Sequence, residues 1–405
     1  MIAPDFDISS PSFHADPSAV LDRIRAAGDP FVRLRLPILG KMLICVTHDG
    51  CGAVLKDKHT FVRDPANAGS LLQERILKVL PRSLGLLAQN MLGKDDPEHR
   101  HLRALVDHAF QRRGIEAIRP MIAGVADQLL DRIQDRADVD LMEVFCRDLP
   151  LSVICALLGL PDQDHARFKA WLGGLKDTAN IAAVVRAVPG ILNVVRYLRR
   201  ASQPDGGASS DGIISALQTA TVDGNRLSED EIVSMLFLLF AAGQETTTHL
   251  IAGGLLEILR HEEQRRRLQA NPELMPLCVE EFLRHVSPVQ LTKPRWAARN
   301  VEFAGRQFKR GDSVACFLTA ANRDPMQFDD PHRFDMARHP NPHLSFGTGV
   351  HFCLGFQLAR AEAAIAFERV LVRFPQIRLG VHPSSVTWRK RVGIRALTRL
   401  PVILR

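Results

Sequence analysis

The chain has 405 residues, of which 46% are hydrophobic and 24% charged, the ordinary make-up of a soluble globular protein. Its formal net charge of +7 comes from arginines scattered along helical patterns without interleaved aromatics. That argues against nucleic acid and suits an acidic protein partner or a merely solvated basic surface.

Cys45, Cys51, Cys146, Cys155, Cys278, Cys316 and Cys353 are an odd number at wide spacings with no C-x-x-C. They imply reduced thiols in a reducing compartment, not a disulfide frame or structural zinc. The N-terminus carries no basic segment followed by an apolar core. Apolar runs fall short of the ~20 residues needed to span a bilayer, so a cytoplasmic protein without a membrane segment is expected. The length allows more than one domain, but no true linker interrupts it. The one flexible stretch, Pro204 to Gly212, lies between helical patterns, and residues 1–405 read as one compact unit.

In chain order, Asp16 to Ala27 reads as a capped helix closed by Gly28. Phe31–Leu36 and Lys41–Val46 alternate with period two across a turn and form a β-hairpin. Leu71 to Leu92 is leucine-rich without a clean period. Asp96 and Pro97 start a helix on which His99 and Arg103, four apart, share a face. Such a pair can clamp a dianion or simply form an exposed basic face. From Ile115 to Arg200 helical patterns follow one another, with breaks at Asp135–Asp138, Pro161 and Pro189 and a Gly173-Gly174 break inside the pair spanning 164–200.

Ser228 and Glu231 make a capping box for a helix running to about His261, roughly 50 Å at ~1.5 Å per residue. Met235 to Gly243 is apolar all round, which marks a helix buried on every side. Gln244-Glu245-Thr246-Thr247-Thr248 then breaks the rule. An acid and hydroxyls in a buried helix are costly unless hydrogen-bonded, and such rule-breaking usually marks function. Thr246 bonding back to a carbonyl and Glu245 in a buried pair is the structural alternative. Glu281 and Arg284 lie three apart on one later helix face, with Arg333 a candidate third partner. Val289 to Arg295 is extended. Val301 to Phe317 alternates, turns at Gly305 and Gly311, and is expected to form a second small sheet.

The last signal is Phe346-Gly347-Thr348-Gly349-Val350-His351-Phe352-Cys353-Leu354-Gly355, followed by a strong helix over Phe356 to Glu368. The glycines let backbone lie close to a flat object. A cysteine at a helix mouth is favoured as thiolate, the form that ligates metal or haem. A lone buried cysteine acting as a small hydrophobe is the bland alternative.

This loop resembles the haem-binding loop of the cytochrome P450 superfamily, of the bacterial soluble type. The resemblance extends, in chain order, over residues 96 to 369. It implies a mainly α fold with small β-sheets and a long central helix over haem b. Cys353 would be the iron ligand, and Phe346, Gly347, Gly355 and Ala242 would border the haem. His99, Arg103, Arg295 and His351 would hold its propionates. Ala242-Gly243-Gln244-Glu245-Thr246 resembles the oxygen-activation motif, with Glu245 and Thr246 delivering protons. Glu281, Arg284 and Arg333 resemble the family's structural lock. The helices of 164–200 would form a lid, and Leu238, Ala242, Gln290, Leu291 and Thr292 would face the substrate.

The implied activity is insertion of one atom of O2 into a mainly hydrophobic small molecule of the terpenoid, steroid, fatty acyl or aromatic kind. Its pocket would be lined from residues 76–92, 165–190, 238–242 and 289–293. Electrons would come from a separate acidic ferredoxin and its reductase, docked on a cluster of Arg100, Arg103, Arg112, Arg113 and Arg360. A haem-thiolate sensor without turnover is the competing class, and it would not need Glu245 and Thr246.

Overall fold

A computed structural model describes the chain except residues 1–6, 37–39, 70–84, 86, 88–89, 112–113, 173–180, 204, 222–223 and 225. Fourteen α-helices are assigned among the described residues. They are α1 (Pro11–Ala15), α2 (Ser18–Arg25), α3 (His48–Lys56), α4 (Glu98–Gln111), α5 (Ile115–Asp131), α6 (Asp148–Leu158) and α7 (His165–Leu172). After these come α8 (Ile181–Ala201), α9 (Ile213–Thr219), α10 (Glu229–Arg260), α11 (Glu262–Ala270), α12 (Met275–Val286), α13 (Leu318–Ala321) and α14 (Phe356–Arg373).

The sheets are small. The expected hairpin is β1 (Phe31–Leu36) with β2 (Gly40–Cys45), paired antiparallel from Phe31↔Cys45 to Leu36↔Gly40. It belongs to a five-stranded sheet ordered β1-β2-β8-β5-β3, with β3 (Phe61–Val62), β5 (Arg295–Ala297) and β8 (Ser313–Cys316). A second sheet is ordered β4-β10-β9, from Asp138–Asp140, Pro401–Ile403 and Arg378–Leu379. β6 (Val301–Phe303) and β7 (Arg306–Phe308) pair only with each other. The expected second sheet over 301–317 is therefore split. β8 leaves it to run parallel to β2, with Cys45 opposite Cys316. Alternation identifies strands but not their partners.

The organising element is α10, whose 32 residues span about 48 Å. Its start is the expected capping box: the Ser228 hydroxyl accepts from the Glu231 N–H at 3.3 Å, and Glu231 accepts from the Ser228 N–H at 2.8 Å. α6, α8, α12 and α14 pack around it, and their apolar side chains form the largest core cluster. Two smaller clusters lie on the sheet side, around Ile44 and around Phe61.

Pro189 does not break its helix: α8 continues through it. The next residue, Gly190, allows so close an approach to α7 that a Cβ there would sit 2.1 Å from the Trp171 carbonyl oxygen. Tertiary packing here overrides local propensity. The expected Gly173-Gly174 break, most of the leucine-rich stretch 71–92, and Arg112 and Arg113 lie outside the described residues. Among the described residues, no helix is long and apolar enough to cross a membrane.

Candidate active site

The glycine loop forms one wall of a cavity of about 640 Å³. It is closed by the Phe346 carbonyl, which accepts from the Cys353 N–H at 3.0 Å. Gly349 sits at φ +74°, and a Cβ there would lie 2.5 Å from the Leu55 carbonyl oxygen. Glycine is thus required both for the turn and for seating the loop on α3. All seven cysteines are free, and only Cys353 is not fully buried, because it opens onto the cavity. The expected bias towards thiolate is not intrinsic to the loop. Burial pushes the thiol up, against the lowering pull of the Gly355 N–H, Arg103 and Arg360. A bound metal ion would supply the missing charge, since a coordinating thiol is deprotonated outright.

Behind Cys353, Arg360 binds both oxygens of Glu280, at 2.6 and 2.7 Å, and lies 4.6 Å from the Phe346 ring centroid. Burial raises the Glu280 pKa, but Arg360 and His343 outweigh it and hold the carboxyl at about 2. The ion pair and the ring contact together fix the loop to α12 and α14.

The opposite wall is α10. Leu238, Leu239, Ala242, Gly243, Thr246 and Thr247 line it, and Ala242 is exposed only because it faces the cavity. The Thr246 hydroxyl donates to the Ala242 carbonyl at 2.6 Å. Thr248 bonds back to Gln244 in the same way, at 2.8 Å.

One rim of the cavity is cationic. His99 and Arg103 from α4, Arg295 from β5 and His351 from the loop converge there, and among the described residues no Asp or Glu lines the cavity. The His99 and His351 rings are 4.1 Å apart between centroids. Burial, then His99, Arg63, Arg295 and Arg103, hold His351 down to about 2, so it is a neutral hydrogen-bonding ring. Arg103 donates to the Phe352 carbonyl at 2.6 Å, which ties α4 to the cysteine loop. Arg295 donates to the Phe61 and Leu55 carbonyls at 2.9 and 3.2 Å.

The comparisons with known proteins agree with this geometry. A family model described as Cytochrome P450 matches residues 190–377. Polyketide biosynthesis cytochrome P450 PksS of Bacillus subtilis (strain 168) is 39% identical over 399 residues, covering 97% of this chain and 96% of its own. The chain is a cytochrome P450. Cytochrome P450 monooxygenase PikC of Streptomyces venezuelae is 37% identical, with 96% of this chain and 91% of its own covered. The crystal structure of myxobacterial cytochrome P450 CYP267B1 in complex with myristic acid matches at 40% identity and a TM-score of 0.90, covering 98% of both chains. The chain is accordingly a haem-dependent monooxygenase with haem b as its cofactor.

The residues present fit that group. Among the described residues, no three His, Cys, Asp or Glu side chains gather to hold a metal. Cys353 would hold the iron of a haem whose macrocycle would supply the remaining ligands, and the cationic rim would suit its propionates.

This P450 departs from the sequence expectation at three site residues. Gln290 is buried, 1% exposed, but does not line the cavity, whereas Val289, Leu291 and Thr292 do. Strand alternation turns it away from its neighbour Leu291. Glu245 does not line the cavity either. Both of its carboxylate oxygens bind Arg391, one of them at 2.7 Å, on the helix face turned from Thr246. The expected third arginine, Arg333, is exposed and contributes only its carbonyl, which accepts from Arg284 at 3.0 Å. The guanidinium beside Glu281 is that of Arg338, at 3.4 Å.

Two rim residues carry charges that the sequence reading did not single out, although Lys293 falls within its expected lining 289–293. Arg63 donates to the carbonyls of Leu92, Lys293 and Pro294, and both Arg63 and Lys293 line the cavity. Arg63 stands just after the short apolar strand β3, a charge where the pattern predicts none. Lys293 lies in the extended segment two positions from Leu291 and two from Arg295, so period two placed it on their face.

Proposed function

We propose that residues 1–405 form a single haem domain that inserts one atom of O2 into a mainly apolar small molecule, with Cys353 as the residue that would hold the haem iron. The observation carrying this reading is one cavity walled by the Cys353 loop and by the Ala242–Thr246 turn of α10, with a cationic rim and otherwise apolar lining. When bound, the haem supplies dioxygen reduction and oxygen-atom insertion. The protein's part is to bind, orient and supply protons. His99, Arg103, Arg295 and His351 would hold the propionates, Phe346, Gly347 and Gly355 would border the haem, and Ala242 would leave room beside it. Leu238, Leu291 and Thr292 bound the substrate. The names of PksS and CYP267B1, which mention polyketide biosynthesis and myristic acid, favour a long or macrocyclic acyl-derived skeleton.

Thr246 holds a proton or water at its hydroxyl oxygen on the cavity side. Glu245 is paired to Arg391 with its side chain 28% exposed, and its part in proton supply would run from the helix face turned from Thr246. Thr246→Ala should lower product formation by about a hundredfold, the scale of losing a positioned proton donor. Haem content and substrate affinity should be unchanged, and oxygen consumption should continue without product. Full coupling of oxygen to product in the variant removes the assignment, and with it the main distinction from a haem-thiolate sensor.

We further propose a cytoplasmic location and an acidic ferredoxin with its reductase as electron donor. Of the arginines expected to receive it, Arg360 is engaged by Glu280 and Arg103 by Phe352 and Asp107. Among the described ones Arg100 is the exposed arginine, with 73% of its side chain accessible beside Asp96. Arg100→Glu, alone and with charge reversal at Arg112 and Arg113, should slow reduction by the ferredoxin at low salt. The difference should fade as ions screen it. Equal rates at low ionic strength remove the docking site.

A further inference from the structure

Four cations, Arg63, Arg103, Lys293 and Arg295, line the cavity, and among the described residues no carboxylate does. Arg103 is met by Asp107 at 3.5 Å, and the Asp95 carboxylate acts on Arg63 and Arg295. Arg63 and Arg295 are fixed by carbonyl oxygens: Arg63 by those of Leu92, Lys293 and Pro294, Arg295 by those of Phe61 and Leu55. Lys293 differs. Among the described residues, no hydrogen bond or ion pair engages its ammonium, although Arg63 pins its backbone carbonyl at 2.9 Å. Burial, with Arg63 adding repulsion, lowers its pKa to about 8, so the group remains mainly cationic at neutral pH.

Its position says what it faces. Leu291, Lys293 and Arg295 follow one another at period two along the extended segment, and all three line the cavity. Between them, the Thr292 hydroxyl is turned to accept the Cys316 N–H at 3.0 Å. Lys293 therefore stands between the apolar substrate wall and the propionate rim, with a pinned backbone and an uncommitted charge. Its side chain is exposed on the cavity wall and therefore hydrated, and an apolar ligand filling the cavity would strip that water at a cost unless it brought a counter-charge.

We infer that Lys293 is a specificity residue that binds a carboxylate on the substrate, so that this P450 takes apolar carboxylic acids in preference to their neutral counterparts. This deepens the monooxygenase reading above and rests on it.

The test uses the ferric holoprotein, after its ferrous–CO spectrum has established thiolate ligation. A preparation without that spectrum refutes the underlying haem-thiolate reading, not the role of Lys293. Dissociation constants are then measured from substrate-induced spin shifts for acid and methyl-ester pairs on straight-chain, steroid and aryl skeletons. The best-binding acid should exceed its ester by about tenfold, the scale of one charge-assisted hydrogen bond. Lys293→Met should abolish the difference by weakening the acid and not the ester, and Lys293→Arg should keep most of it. Haem content of each variant is read from the same spectra. No acid preference anywhere on the panel, absence of binding included, overturns the proposal. So does a Lys293→Met protein that loses haem while its acid-to-ester ratio stays at the wild-type value, since Lys293 would then serve the propionates alone.

Discussion

Cys353→Ser should leave a folded protein that no longer gives the ferrous–CO spectrum of a thiolate-ligated haem, with product formation down by at least a thousandfold. That factor corresponds to about 4 kcal/mol in the barrier. The expectation of a folded variant rests on how the loop is held. Its closing bond joins the Cys353 N–H to the Phe346 carbonyl, and Gly349 seats it on the Leu55 carbonyl. Arg103 grips the Phe352 carbonyl, and Arg360 packs on the Phe346 ring. None of these contacts involves the sulfur, so serine removes the soft ligand and keeps its frame. Circular dichroism should match the wild type while the haem spectrum and turnover do not. A variant with the thiolate spectrum intact would show that another group carries the metal.

How far the chain could be read depended on the range of each interaction. The cysteine loop, the capping box at Ser228 and the Glu281–Arg284 pair are local, with spacings of three to ten residues, and each was legible. The alternation of β1 and β2 was legible for the same reason. What escaped depends on partners distant in sequence. Glu245 meets Arg391 from the C-terminal part of the chain, and no local pattern announces that pair. β8 reads as a neighbour of β7 but pairs with β2 and β5. Arg333 and Arg338 are both arginines near the same turn, and only the folded path decides which reaches Glu281. Gln290 departs from the expectation although the period-two rule covers it. A polar side chain beside an expected substrate wall was read by proximity in sequence, not by face.

The largest stability effect should come from Glu281→Gln, which should cost about 3–5 kcal/mol, the usual penalty for removing one partner of a buried ion pair. Both side chains of the pair are 0% exposed. Arg284 donates twice to Glu281, at 2.7 Å each, and its remaining N–H groups reach the carbonyls of Asn322, Pro331 and Arg333 at 2.8 to 3.0 Å. Glu281 also accepts from the Asp335 N–H at 2.9 Å and from Asn341 at 3.1 Å. The pair is thus a hub that ties α12 to the irregular segment 322–341. That segment leads to Ser345, whose hydroxyl donates to the Leu283 carbonyl at 2.6 Å one residue before the cysteine loop begins. Glutamine keeps the shape but leaves the guanidinium uncompensated. Replacing both residues with apolar ones should not restore stability, as it can for an isolated buried pair. The Asn322 and Pro331 carbonyls and the Asp335 N–H would then lose partners, at about 1–3 kcal/mol for each buried group left unsatisfied, while the Arg333 carbonyl would keep Arg338 at 3.3 Å. Urea unfolding of the apo- and holoproteins checks this, and loss of haem should precede global unfolding because the cysteine loop hangs from the hub. A Glu281→Gln protein within about 1 kcal/mol of wild type, the scale of an average substitution, would mean the hub is held by its carbonyl contacts and not by the ion pair.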